Sequence, residues 1–259
     1  MADRHPIIFV GAGPGDPELI TVKGMKALSR AEVLLYAGSL VSPAVLAWAP
    51  PEAEQVDTAP LALEDIVARL IEAQRAGKRV VRVHSGDTSL FSAMQEQLEL
   101  LEREGIPCQV IPGVTAAAAA AAALGQELTL PEVTQTVILT RAAGRTPVPE
   151  GENLRSLAAH GATLVIYLSV GLLERVAAEL AEAYGPAAPV VVAYRVSWPD
   201  EQFLRGTLAD IAATVREAGI SRQALILVGP ALAAWEGHLK ARSRLYDRTF
   251  AHGWRDAAD

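Results

Sequence analysis

Short apolar runs, several of them alternating, are separated along the chain by longer stretches in which apolar residues recur every three or four positions. That is the pattern of repeated strand–helix units. Strands are expected over 7–10, 33–36, 79–84, 108–111, 136–140, 163–168, 190–194, 202–206 and 224–228, and helices over 17–30, 63–76, 90–104, 115–124, 153–160, 172–184 and 207–218. The fold class is α/β. The run Ala116–Ala123 reads as helix and not as low complexity, because alanine is the best helix former and its small side chain lets a helix pack closely on a sheet. The pattern breaks between Gly125 and Thr134, where Leu130-Pro131-Glu132 precedes a strand, which divides the chain into α/β halves at 1–130 and 131–259. Within the second half, residues 142–151 form a polar, Gly/Pro-rich loop, and loops of that length in compact domains are commonly functional. The tail beyond Gly237, with Lys240, Arg242, Arg244 and Arg248, reads as a solvated end.

Composition narrows the function classes. At 259 residues and 51% hydrophobic the chain can bury a sizeable core. With 23 basic against 30 acidic residues the formal net charge is −7, which argues against a nucleic-acid footprint and against an anionic membrane surface as partner. No apolar run reaches a membrane span, and the first six residues lack the basic-then-apolar order of a signal peptide, so a cytoplasmic protein is expected. The single cysteine, Cys108, excludes an internal disulfide framework and a multi-cysteine metal cluster; flanked by Ile106, Val110 and Ile111, it reads as a buried strand residue. His5, His84, His160, His238 and His252 are scattered without metal-ligand spacing, so no metal is expected.

The chemistry-bearing signal lies in glycine corners that follow three strands. Gly11-Ala12-Gly13-Pro14-Gly15-Asp16-Pro17 has the strand–loop–helix context of a dinucleotide site but not its spacing. The third fingerprint glycine would fall at Asp16, two prolines stiffen the turn, and no carboxylate stands near Ala37 to take a ribose. His84-Ser85-Gly86-Asp87-Thr88 and Pro112-Gly113-Val114-Thr115-Ala116 are the other two, the glycines allowing backbone to approach a ligand and Asp87 able to accept from it. Alone, Asp87 reads equally as an Asx turn and Thr115 as a helix cap. Together the corners suggest a small-molecule cleft at the carboxyl ends of strands.

Those segments, from Val10 through Gly24 with Val83-His84-Ser85-Gly86-Asp87 and Ile111-Pro112-Gly113-Val114-Thr115-Ala116-Ala117, resemble the tetrapyrrole methyltransferase family that uses S-adenosylmethionine. The likeness covers about residues 6 to 235 and implies two αβα domains with the cofactor in the cleft between them, in a homodimer. It implies cofactor contacts by Pro14, Ser85, Gly86, Asp87, Leu90, Thr115 and Ala116, and by Tyr167, Leu168, Arg195, Val196, Ala224 and Leu225, many through backbone; Leu168 stands where the family usually has methionine. Tyr36-Ala37-Gly38-Ser39-Leu40-Val41 and residues 140–150 resemble the corrin branch, which implies methylation at C11 of a precorrin-4-type tetrapyrrole, free or cobalt-bearing. The aspartate that uroporphyrinogen III methyltransferases carry in the first of these segments is absent, so no catalytic base is assigned. Arg141, Arg145 and Arg195 are the expected clamps for the acceptor's carboxylates, with Arg141 and Arg145 the principal pair. Methylation of another corrin carbon or of uroporphyrinogen III, a nicotinamide-dependent oxidoreductase, and a non-enzymatic tetrapyrrole carrier are the alternatives.

Overall fold

A computed structural model describes residues 5–236 and 243–256. The chain forms two compact units, Met1–Ala120 with Arg195–Glu201, and Ala121–Tyr194 with Gln202–Asp259.

The first unit is built on a parallel sheet of β1 (Ile7–Gly11), β2 (Val33–Tyr36), β3 (Glu54–Asp57), β4 (Val80–His84) and β5 (Cys108–Ile111), in the order β3-β2-β4-β1-β5. Its helices are α1 (Val22–Leu28), α2 (Pro43–Leu46), α3 (Leu63–Arg75), α4 (Met94–Arg103) and α5 (Ala116–Leu124), which runs on into the second unit. A buried strand presents alternate residues to opposite faces. Val10, Leu34, Val81 and Val83 accordingly pack with Leu28, Val45 and Leu46, while Ile7, Phe9, Leu35 and Val80 pack with Leu70 and Leu101.

The second unit holds β6 (Val137–Arg141), β7 (Thr163–Tyr167), β8 (Pro189–Tyr194), β9 (Gln202–Thr207) and β10 (Ala224–Val228), ordered β6-β7-β10-β8-β9. Leu164, Ile166, Val190, Val192, Ile226 and Val228 form its core with residues of α6 (Leu154–Ala158), α7 (Leu173–Tyr184) and α8 (Ile211–Glu217). This sheet departs from a simple series of strand–helix repeats: β9 is antiparallel to β8, and β10 is antiparallel to both β7 and β8. Residues 195–201 are too few to carry the chain back for a parallel pairing, which needs a dozen or more.

Local chemistry explains the remaining differences from the expected elements. Strand β3 carries one apolar residue, Val56, and is held at the sheet edge by its ladder to β2, so it left no periodicity to read. The expected helix over 17–30 is divided. Asp16 caps a 3₁₀ turn at Pro17–Leu19 by accepting from the Glu18 amide, and Thr21 caps α1 by accepting from the Gly24 amide. The helix expected from 90 starts at Met94 because Phe91 and Ala93 adopt left-handed backbone, and the one expected from 207 starts at Ile211, after a turn in which the Asp210 carboxylate accepts from the Thr207 amide. Cys108 is half-buried, and burial raises its thiol pKa. Lys240 and Arg242 lie outside the described residues, whereas Arg244 and Arg248 are exposed. Among the described residues no helix is long and apolar enough to cross a membrane.

Leu180 of α7 is fully buried in the second core. Leu180→Ala should cost about 2–5 kcal/mol in denaturant unfolding, whereas Val22→Ala at a 65% exposed position should stay within about 0.5 kcal/mol.

Candidate cofactor site at the strand ends

Because β4, β1 and β5 are neighbours in that order, the glycine corners that follow them meet at one end of the first sheet. The Gly13 amide donates to the Gly86 carbonyl at 3.1 Å, the Gly86 amide to the Gly13 carbonyl at 2.8 Å, and the Ala12 amide to the His84 carbonyl at 2.8 Å. Backbone packs against backbone here. A Cβ on Gly113 would lie 2.2 Å from the Gly86 carbonyl oxygen, and one on Gly11 would lie 2.6 Å from the Gly113 nitrogen. The other side of Gly86 is different: at φ +62° its would-be Cβ meets nothing nearer than 4.0 Å, where Thr115 and Val114 stand. The corners therefore leave a recess at Gly86 bounded by the start of α5.

Asp87 does two things in this arrangement. One carboxylate oxygen accepts from the Ser89 amide at 2.9 Å and from the Ser89 hydroxyl, and the other accepts from the Gly113 amide at 2.7 Å. Desolvation acts to raise its pKa, but the bonds from the Ser89 hydroxyl, the Ser89 amide and the Gly113 amide prevail and hold it below the usual carboxylate value. One side chain thus closes its own turn and joins two corners. Ser85, Gly86 and Asp87 are partly exposed at the end of β4, with Leu90 partly exposed in the segment that follows. Thr115 immediately precedes α5 and Ala116 begins it.

Behind the corners lies a buried polar layer that sequence reading missed. The Arg82 guanidinium donates to Gln97 Oε1 at 3.0 Å and to the Thr58 hydroxyl at 3.1 Å, Thr58 donates on to the Tyr36 carbonyl, and Gln97 donates to the Ala93 carbonyl. Two residues on, His84 stacks on Phe9 with ring centroids 5.8 Å apart and donates to the Ser92 carbonyl, while its Nε2 is buried without a partner. Burial first, and then the Arg82 charge, lower the His84 pKa to about 3. The layer ties the ends of β2 and β4 to the left-handed segment at Phe91 and Ala93. Asp57, in the strand that the sequence did not reveal, accepts from the Gly38 amide at 2.9 Å and the Ala59 amide at 2.8 Å, fixing the segment after β2.

In the second unit, antiparallel register brings the end of β7, the end of β8 and the start of β10 to one sheet end: Ile226 pairs with Ile166 and Ala224 with Tyr194. Arg141 pairs with Tyr167, which puts the end of β6 there as well. Leu168, Arg195 and Gln223, the residues flanking those strand ends, all have left-handed backbone, at φ 55°, 43° and 55°. Left-handed non-glycine residues persist only where surroundings enforce them, and they gather at functional sites. Leu168 is 68% exposed. Val196 and Leu225 have buried side chains and Tyr167 and Ala224 are partly buried. Arg141 donates to the Thr146 carbonyl at 3.2 Å and the Pro147 carbonyl at 2.5 Å, so it braces its own loop, while Arg145 is exposed. Arg195 pairs with Asp200 at 2.7 Å and lies over the Trp198 ring. Among the described residues no group of three or more His, Cys, Asp or Glu side chains could hold a metal.

A parallel sheet whose glycine corners meet at the carboxyl ends of three neighbouring strands is the geometry of a small-molecule site of the α/β class. Residues 6–212 match the profile of the tetrapyrrole (corrin/porphyrin) methylases, and the chain belongs to that family. It is 53% identical over 249 residues to the precorrin-4 C(11)-methyltransferase of Pseudomonas aeruginosa, covering 96% of this chain and 98% of the relative. An X-ray structure of a cobalamin biosynthetic enzyme, cobalt precorrin-4 methyltransferase, matches at TM-score 0.85 and 50% identity, over 87% of this chain and 95% of that one. Uroporphyrin-III C-methyltransferase from Thermus thermophilus, complexed with S-adenosylhomocysteine (S-adenyl homocysteine), matches at TM-score 0.75 and 31% identity, over 89% and 100%.

The depressed pKa of His84 has a measurable consequence. Folding favours the neutral imidazole, so its stabilising contribution is fully present above pH 6.5 and is lost as pH falls from there toward 3. In that window unfolding free energy should fall with a slope of up to about 1.4 kcal/mol per pH unit from this one proton. His84→Phe, which keeps a ring against Phe9, should flatten that slope in pH-dependent denaturant titrations; an unchanged slope would assign the acid sensitivity elsewhere.

Proposed function

We propose that the chain transfers a methyl group from S-adenosylmethionine to C11 of a precorrin-4-type tetrapyrrole in cobalamin biosynthesis. The observation that carries this reading is the near full-length likeness, at about half of all positions, to proteins named for that reaction. The residues present fit the cofactor: beside Gly86 the backbone is open to close approach, with the Val114 and Thr115 backbone 4.0 Å from where a Cβ would stand. Pro14, Ser85, Gly86, Asp87, Leu90, Thr115 and Ala116 are assigned to the cofactor from the first unit. Tyr167, Leu168, Ala224 and Leu225 are assigned to it from the strand ends of the second unit, and Arg195 and Val196 from the segment after β8 that belongs to the first, Val196 and Leu225 through backbone.

When bound, S-adenosylmethionine supplies a sulfonium methyl that is already an activated electrophile. The task left to the chain is to hold a nucleophilic ring carbon in line with that methyl and to keep water out. The corners serve this by rigidity, since their backbone hydrogen bonds and Asp87 fix them before a ligand arrives. Arg145, exposed in the loop after β6, is assigned to an acceptor carboxylate; Arg141 holds the shape of that loop. The same reading places the enzyme in the cytoplasm as a homodimer and assigns it no metal cofactor, cobalt entering only as part of the acceptor.

The test is incubation with methyl-labelled S-adenosylmethionine and precorrin-4, with and without cobalt, followed by mass and NMR assignment of the product. Label at C11 is expected. Label at another carbon would move the chain to a different reaction of the family, and no transfer, or calorimetric binding of NAD without binding of S-adenosylhomocysteine, would overturn the reading. Arg145→Ala should raise KM for the tetrapyrrole about three- to tenfold and leave that for S-adenosylmethionine unchanged, with the difference shrinking at high salt. Lysine at 145 should restore only part, because it supplies the charge without the planar fork.

A further inference from the structure

Residues Arg195–Glu201, which follow β8, belong to the first unit and grip its first glycine loop. The Trp198 indole Nε1 donates to the Pro14 carbonyl at 2.9 Å, and the Ser197 hydroxyl accepts from the Asp16 amide at 2.9 Å. The two bonds thus take the backbone on either side of Gly15. Between them the indole lies directly on the glycine: a Cβ at Gly15 would fall 2.1 Å from Trp198 Cδ1 and 2.3 Å from its Nε1. The gripping segment is itself braced. Arg195 lies 4.1 Å over the Trp198 ring and pairs with Asp200, and the Ser197 amide donates to the Glu201 carboxylate at 2.7 Å. Arg195 and Ser197 both have left-handed backbone, at φ 43° and 64°, which non-glycine residues keep only when their surroundings enforce it.

These contacts are out of proportion to a surface turn. Gly13 is tied to Gly86 and Asp16 caps the turn that follows, but between them Pro14 has no amide hydrogen and Gly15 no side chain, so the middle of the loop has little of its own with which to anchor itself. We infer that Trp198 and Ser197 are positioning residues that set the conformation of the Pro14–Asp16 loop, with Gly15 required as the seat of the indole. Its consequence for ligand affinity rests on the assignment of Pro14 to the S-adenosylmethionine site. A loop held from both sides presents that residue without paying for ordering at the moment of binding, and loss of the clasp should show as weaker binding before it shows as loss of fold.

A double-mutant cycle on the full chain tests this, read by calorimetric Kd for S-adenosylhomocysteine and by thermal midpoint. Trp198→Phe, which keeps a ring over Gly15 but loses the donor to Pro14, should raise Kd about three- to tenfold with the thermal midpoint little changed. Gly15→Ala should raise Kd more than tenfold because its Cβ collides with the indole. In the Trp198→Ala background the same substitution should add little, since the collision partner is gone. Ser197→Thr, which keeps a hydroxyl for Asp16, should bind more tightly than Ser197→Ala. Strictly additive effects of Gly15→Ala and Trp198→Ala in both readouts would overturn the clasp, as would an unchanged Kd in Trp198→Phe and Trp198→Ala alike. If the unmutated chain itself fails to bind S-adenosylhomocysteine, the functional reading falls instead, and coupling in the thermal midpoints alone then decides whether Trp198 seats on Gly15.

Discussion

The constraint on which the first unit turns is steric: three chain segments leave adjacent strands and touch backbone to backbone, with no room for a Cβ at Gly11 or Gly113. The bonds between the corners follow from accepting this contact. The approach brings the Gly86 carbonyl within reach of the Gly13 amide, which closes the isolated bridge between the two corners, and brings the Gly113 amide within reach of Asp87. It also explains why Gly86 is open on one side only. One side of that glycine is pressed against the neighbouring corners, and the other, at φ +62°, faces the open start of α5.

How much of this can be read from the sequence depends on whether the cause is local. Strands such as Val33–Tyr36 and Ala224–Val228 are legible to the residue, because a buried strand must be apolar and its ends are punctuated. The three corners are legible as turns because glycine recurs after three strands, and the order β4-β1-β5 then brings them together. Strand β3 is not legible, since an edge position asks for little apolar character and its hydrogen bonds come from β2. Nor is Trp198, whose partners Pro14 and Gly15 lie more than 180 residues away in the chain. A tryptophan in a short turn after a strand carries no signal of its own until the fold supplies what it rests on.

Arg141 shows a subtler limit. Its place in a polar loop at a strand end singles it out as a ligand for carboxylates, and the same place equally suits a side chain that holds the loop together. Its guanidinium satisfies the Thr146 and Pro147 carbonyls, and a charge so engaged must give up those bonds before it serves anything else. Asp87 is the contrasting case. Its bonds to Ser89 and Gly113 are what place the corner, so they hold in position the backbone that the proposed function assigns to the cofactor.

The electrostatics of the strand ends point the same way as the geometry. Burial and the neighbouring Arg82 drive His84 to about 3, far below neutrality, and hydrogen bonding holds Asp87 and Asp57 below their usual values. A general acid or base working near neutral pH needs the opposite treatment: a carboxylate raised or an imidazole left near its ordinary value. Here His84 remains neutral and the two aspartates remain charged through the physiological range, and both aspartates hold backbone amides. Alkylation by an electrophile activated before it binds demands little proton transfer but strict alignment of two reacting atoms. The charged groups at this sheet end are therefore engaged in bracing it, Asp57 and Asp87 on loop amides and Arg82 on Gln97 and Thr58.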